Sequence, residues 1–381
     1  MVNQRLRKLL SFIFIATCLC VGVGIGSAIR IGKIQALDKP PLPVESLPIL
    51  PPVTEEQIFP DSITIQAVGD VIPGTNYPDN RLPRSSNQLI SKSVRSYLQR
   101  ADILFGNFET SLTNHPYSSK DITQGQTFAF RSPPAYAKLF SDVGFDVFNI
   151  ANNHSFDFGL VGFRDTTKNL TSVGIKTLGH KNQILLLKSN KVKVAMVGFS
   201  PYKRYNSIHD LPTATALVKA AKQKADIAIV SMHVGAEGTD ALRTPNKTEF
   251  FYGENRGNSV KFARTMVDSG ADLILGHGPH VPRAMEIYKG KLIAYSLGNF
   301  LGYRTLSTTA QTGYSMILEV MLNSQGKLVG GKIIPVRMDK QGIPYIDQQF
   351  HTVSLVRDLI GQDFPNNSMK INKKGEIRTI N

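Results

Sequence analysis

Residues Phe145–Gly159 read FDVFNIANNHSFDFG. Val147 to Ala151 is an apolar run of the kind a buried strand uses. It breaks into Asn152-Asn153-His154, with Asp157 three residues on and Gly159 just after. A rigid strand that ends in amides, an imidazole and a carboxylate is how a scaffold carries a reactive loop. Asn and Asp are also ordinary turn formers, so the triplet alone leaves a plain polar turn open. Its weight comes from four other strand ends in the chain that look similar.

Ile63–Val68 stops at Gly69-Asp70, and Ile103-Leu104-Phe105 stops at Gly106-Asn107-Phe108-Glu109. Ile227–Ser231 runs into Met232-His233-Val234-Gly235, and Ala271–Leu275 into Gly276-His277-Gly278-Pro279-His280. Segments with helical spacing lie between them, at 86–100, 134–143, 160–173, 214–224 and 259–268. Leu185–Leu187 pairs with Val192–Phe199 as a hairpin. After His280 the pattern turns to further hairpins, Ala284–Tyr288 with Leu292–Leu297 and Tyr314–Leu322 with Lys332–Arg337. A front half alternating strand and helix, followed by a strand-rich back half, predicts an α/β domain over 63–340. Its architecture would be two packed sheets covered by helices. Residues 341–381 read as a C-terminal extension, with a loose polar tail from Asp363 onward.

The 381 residues carry a formal charge of +15, with 41% hydrophobic and 19% charged side chains. That is a globular composition whose charge favours acidic partners: anionic lipid, an anionic polymer, phosphate or nucleic acid. Nucleic acid is disfavoured, because there is no tryptophan and no Lys/Arg run interleaved with aromatics. The two cysteines, Cys18 and Cys20, lie in the N-terminal apolar stretch. The body therefore offers no thiolate, and any metal must be held by His, Asp, Glu and Asn. Freedom from cysteine also suits an extracytoplasmic domain.

Arg5, Arg7 and Lys8 form a short basic N-terminus, 1–8, ahead of an apolar segment, 9–29. Its length, near the ~20 residues that span a bilayer, favours a single transmembrane anchor at the cell membrane. Gly26-Ser27-Ala28 leaves a cleaved signal and a secreted or periplasmic product as the alternative, and Cys18 faintly suggests a lipoprotein site. In each case the body is exported. Seven prolines between Pro40 and Pro60 make 30–62 an extended linker.

Taken together, the strand ends offer Asp70, Asn107 and Glu109, Asn153 and His154, His233, and His277 with His280. Carboxylates, an amide and imidazoles suit divalent transition ions such as Mn, Fe or Zn. Two such ions can activate a water and clamp a phosphoryl or acyl oxygen. His115, His180, His209 and His351 lack such a setting and read as surface or structural residues.

These motifs, with Ala151–Gly159, Met232–Glu237, Gly276–His280 and Tyr295-Ser296-Leu297-Gly298-Asn299-Phe300, resemble the CapA family. Those are poly-gamma-glutamate capsule biosynthesis proteins, a branch of the calcineurin-like metallophosphoesterases. The resemblance runs from Ile63 to Phe300 and more weakly to Met338. It implies a four-layer α-β-β-α sandwich and a metal-dependent hydrolase or transferase. The partners it implies are the membrane, an anionic polymer such as poly-gamma-glutamate, and capsule synthase subunits. By resemblance Asp70, Glu109, Asn153, His233 and His280 are metal ligands, with His277 as a further one. His154 is then the general acid or oxyanion contact, oriented by Asp157.

Three departures accompany the resemblance. Ile72 stands where metallophosphoesterases place a His, a loss that CapA proteins share, and Gly278 where the family usually has a His. The segment from Glu237 to Ser259 is longer than usual, and its FFYGENRG run is expected to shape the mouth of the site. One ion or two therefore stay open, as does a non-catalytic accessory that binds polymer or a synthase. A surface nucleotidase or nuclease is a weaker alternative.

Overall fold

The computed structural model describes residues 62–189 and 191–379. The basic N-terminus, the apolar 9–29 segment and the linker up to residue 61 lie outside the described residues. No helix among the described residues is long and apolar enough to cross a membrane.

The central strand, Ser62–Ile72, alternates Ile63, Ile65 and Ala67 towards one core. It lies in a ten-stranded mixed sheet. On one side it pairs in parallel with Ile103–Phe108, which pairs with Val147–Asn149 and then with Lys176–Leu178. On the other side it pairs antiparallel with Tyr314–Asn323 and, near its carboxyl end, in parallel with Asn299–Gly302. A second, seven-stranded sheet is built on Val192–Ser200, Ile227–His233 and Leu273–His277, which run parallel. These near-continuous apolar runs are what strands buried on both faces require.

Three apolar clusters account for the layering. Ile65, Phe105 and Val147 of the first sheet meet Met196, Ile229 and Leu275 of the second between the sheets. Over the first sheet's outer face lie α1 (Lys92–Leu98), α2 (Tyr136–Val143) and α3 (Gly159–Ser172), through Val94, Phe140 and Leu170. Over the second lie α4 (Leu211–Lys224) and α5 (Ser259–Asp268), through Val218, Ala263 and Met266. The expected mixed α/β architecture of two sheets with helices on both outer faces is present. Each fully buried Ile, Leu or Phe contributes about 2 kcal/mol, so the three interlayers dominate the stability.

The carboxyl half of the chain differs from expectation. Helix α6 (His351–Asp363) sends Val353, Val356 and Leu359 into the inter-sheet core. The polar residues beyond Asp363 do not form a loose tail. Met369–Ile371 and Glu376–Thr379 form a hairpin on the free edge of Leu328–Met338. These short strands are half polar because they form the outer edge of a sheet, and that hides them from an apolar-pattern reading.

Candidate metal centre

Parallel strands deliver their carboxyl ends to one side, and there the predicted residues meet. Asp70 is aimed by an irregularity. Pairing with Ile103–Phe108 slips between Ala67 and Asp70, and pairing with Asn299–Gly302 slips between Asp70 and Val71. Such bulges re-aim a side chain. Gly69 permits this one, since a Cβ there would lie 1.8 Å from the Gly298 carbonyl oxygen.

Fully buried Asn107 donates from Nδ2 to Asp70 Oδ1 at 2.8 Å and, more loosely, to Glu109 Oε2 at 3.4 Å. Its own Oδ1 accepts from Asn149 Nδ2 at 2.9 Å and Asn152 Nδ2 at 3.2 Å. An amide chain thus reaches from the Val147 strand to both carboxylates and holds them side by side. Asn152 also closes the turn, its Oδ1 accepting from the backbone N–H groups of His154 and Ser155 at 3.1 Å each.

Asp70, Glu109 and His233 each offer one ligand atom, all within 4.8 Å of one another, and all three are buried. Glu109 Oε1 and both His233 ring nitrogens have no hydrogen-bond partner, and neither does Asn153 Oδ1, while Asp70 Oδ2 has only the His280 ring nitrogen beside it. Buried polar groups are almost always satisfied, so this concentration of unpartnered acceptors calls for a cation. Burial, reinforced by the positive charge of Arg256, holds His233 well below the ordinary imidazole range, so the ring is neutral with a lone pair to give. Burial and then the Asp70 charge push Glu109 well above the ordinary carboxylate range. The donor set fits a borderline divalent ion.

His280 lies beside this group. Its Nδ1 is 3.0 Å from Asp70 Oδ2 and 2.9 Å from Asn299 Oδ1, and its Nε2 is 3.8 Å from Glu109 Oε1. Burial works against a charge on the ring, but Glu109, Asp70 and Glu237 outweigh it and raise its pKa well above the usual value. Burial would raise Asp70, yet His280 outweighs that too and lowers it. The structure does not bring His277 into the three-residue group. Its Nε2 sits 3.1 Å from the Val68 carbonyl oxygen, joining the two sheets, while Nδ1 has no partner.

His154 sits on a cavity of about 780 Å³, with its Nδ1 2.8 Å from Asp157 Oδ2. Asp157 is fixed in turn by the Phe130 N–H at 2.7 Å and by Lys120 Nζ at 2.6 Å. Nδ1 is therefore committed and Nε2 is left for a ligand. Burial lowers the His154 pKa, Asp157 opposes that, and Lys120 adds to the lowering.

Of the departures, Ile72 is fully buried core and offers no ligand. Gly278 has φ +110°, and a Cβ there would come within 3.3 Å of the His233 ring. The FFYGENRG run forms a hairpin, Glu249–Phe251 with Glu254–Gly257, and Phe251, Tyr252, Glu254 and Arg256 line the cavity. It does shape the mouth. Missing from the sequence reading were Asn107 and Asn149 as orienting amides, and Arg256. Arg256 is buried and bonds Glu237 at 2.5 Å and Glu254 at 3.1 Å. Only the strand-end position of Asn107 signalled its role.

The family described as Bacterial capsule synthesis protein PGA_cap matches residues 64–304. The chain belongs to this family. Among its capsule-protein relatives, one named PGA biosynthesis protein CapA from Bacillus subtilis (strain 168) is 30% identical over 261 residues. That match covers 63% of each chain. Capsule biosynthesis protein CapA from Bacillus anthracis is 28% identical over 265 residues, 63% of this chain and 60% of the relative. The chain thus spans less than two thirds of the length of these curated relatives. A solved 5'-nucleotidase precursor from Thermus thermophilus superposes with TM-score 0.42 and 12% identity, covering 79% of this chain and 59% of that one. That likeness is too loose to inform fold or chemistry.

Proposed function

We propose that this family member is a metal-dependent hydrolase or transferase acting in the synthesis or retention of an anionic capsule polymer such as poly-gamma-glutamate. The observation that carries the reading is the buried convergence of ligand atoms from Asp70, Glu109 and His233, with those on Glu109 Oε1 and His233 unpartnered. These residues would hold the ion, with Asn153 and His280 beside them and His277 behind. A second ion depends on those neighbours. When bound, Mn, Fe or Zn would supply Lewis acidity and an ionised water.

The chain's own residues supply the rest. Asn107 holds the two carboxylates in register. Asp157 keeps the proton of His154 on Nδ1 and supports an imidazolium, so that Nε2 can carry a proton to a leaving oxygen. The hairpin bearing Arg256 and the loop bearing Lys120 line the cavity beside the site. We place the body outside the cytoplasm, tethered to the cell membrane by the 9–29 segment, with capsule synthase subunits as partners. A secreted or periplasmic form after signal cleavage is the alternative.

The test is metal content and turnover of γ-glutamyl amides and phosphodiesters by the full chain, beside Asp70→Ala and His233→Ala. Loss of both properties in both variants is expected. Undiminished turnover in both would sink the catalytic reading. A second reading, a non-catalytic polymer- or synthase-binding accessory, draws on Ile72 and Gly278, which contribute no ligand. It predicts function that survives loss of metal.

A further inference from the structure

Three cations line the cavity beside the metal cluster: Lys120, Arg204 and Arg256. Two are neutralised. Lys120 is paired with Asp157 at 2.6 Å, and Arg256 with Glu237 and Glu254. Arg204 has no carboxylate partner among the described residues, and its guanidinium does not hang loose. It lies 4.5 Å over the ring of Phe156. Phe156 is itself stacked on Phe163 at 4.3 Å and meets Tyr205 edge-on at 5.9 Å. The platform is anchored in the Asn153–Asp157 turn, so the guanidinium stands on a residue two positions from His154 in sequence.

A guanidinium laid on an aromatic face keeps its N–H fork free at the edges, in the plane where it pairs with a two-oxygen anion. The stack favours one orientation of this exposed side chain before any ligand arrives, which reduces the ordering cost on binding. The two carboxylates of the cavity, Glu237 and Glu254, share Arg256, and buried Asp157 behind it is engaged by Lys120 and His154. Thus one positive charge without an ion-pair partner faces a cavity in which Lys120 is paired with one carboxylate and Arg256 with two. The size matters as well, because about 780 Å³ is room for a drug-sized ligand, more than a single small anion needs.

We infer that Arg204, held on Phe156, is a specificity-determining residue that binds an oxyanion of the substrate, a carboxylate or phosphate group away from the reacting bond. This deepens the function proposed above but does not need the metal. A substrate would be held at two points, with its reacting bond by the Asp70–Glu109–His233 cluster and an anionic substituent on Arg204. Chain-like anions would then be preferred over their neutral isosteres.

The test is calorimetric titration of the full chain, with metal and again after chelation, using three probes. These are γ-linked tetraglutamate, its amidated tetraglutamine form in which every free carboxylate is a carboxamide, and inorganic phosphate. Charge-assisted hydrogen bonds predict that Arg204→Ala weakens tetraglutamate by about tenfold or more and leaves tetraglutamine unmoved. Arg204→Lys should fall between, because it keeps the charge and loses the fork. Phe156→Leu, which removes the platform, should weaken tetraglutamate in the same direction. Arg204 dependence for phosphate but not tetraglutamate would support the oxyanion site and assign it to a phosphate. Equal binding of tetraglutamate and phosphate by wild type and Arg204→Ala would overturn the inference. So would wild type holding neither anion more tightly than tetraglutamine. Because chelated protein is titrated too, the Arg204 result stands or falls apart from the metal reading. Unchanged melting and metal content in Arg204→Ala exclude a folding artefact.

Discussion

The two sheets bring different equipment to the same place. The first sheet's half, Asp70, Asn107, Glu109 and Asn149, is tied together by side-chain hydrogen bonds before any ion arrives. In the second sheet's half His233 is held by packing, with both nitrogens unpartnered, and only His280 reaches across to polar partners, Asp70 and Asn299. Carboxylates left side by side repel one another, so amides must fix them, whereas burying a neutral imidazole costs less than burying a charge. One half is wired and the other is shaped, and different substitutions should expose that difference.

The largest effect is expected where the halves join. Added Mn or Zn should raise the wild-type melting temperature, with stabilisation of about 2.7 kcal/mol when the ion is at a hundred times its dissociation constant. Asp70→Ala and His233→Ala should each abolish that shift. A shift that survives either change would mean the ion sits elsewhere. Next comes the wiring. Asn107→Ala should cost about 2 kcal/mol in urea unfolding of the metal-free protein and about 10- to 100-fold in metal affinity. A variant that keeps wild-type affinity would remove the amide chain from the account.

The shaping is tested by Gly278→Ala. Its positive φ and the closeness of the new methyl to the His233 ring should cost about 1 kcal/mol and weaken metal binding. Equal metal affinity would show that the packing yields. The smallest effect is expected at Tyr252, which is 68% exposed on the cavity hairpin. Tyr252→Ala should stay within about 0.5 kcal/mol in stability and leave metal content alone.

How much was legible in the sequence follows the same division. Largely apolar runs of three to six residues reveal strands buried on both faces, so the five parallel strand ends and their reactive side chains could be read directly. Helix α5 was legible at both ends, because Ser259–Asp268 carries a clean apolar stripe between Asn258 and Gly270. The amide chain was not, because the partners of Asn107 lie 37 and 42 residues away and nothing local marks them. The roles of His277 and His280 were not separable either. Whether an imidazole faces a carboxylate or a backbone carbonyl is decided by the turn at Gly278, where His280 itself takes φ 59°. Helix α6 did carry a signal, in Val353, Val356 and Ile360 on one face, but it lies beyond the last strand-end motif, in a stretch whose polar residues mask it.

The direction of the Ser62–Ile72 strand has a consequence for reach. The strand begins at Ser62 and delivers Asp70 to the ligand cluster eight residues on, roughly 26 Å away at the usual strand rise. Whatever precedes Ser62 therefore joins the body at the end remote from the chemistry. Lengthening or shortening a tether acting through that segment would change how far from its support the protein can work, without touching a residue of the site.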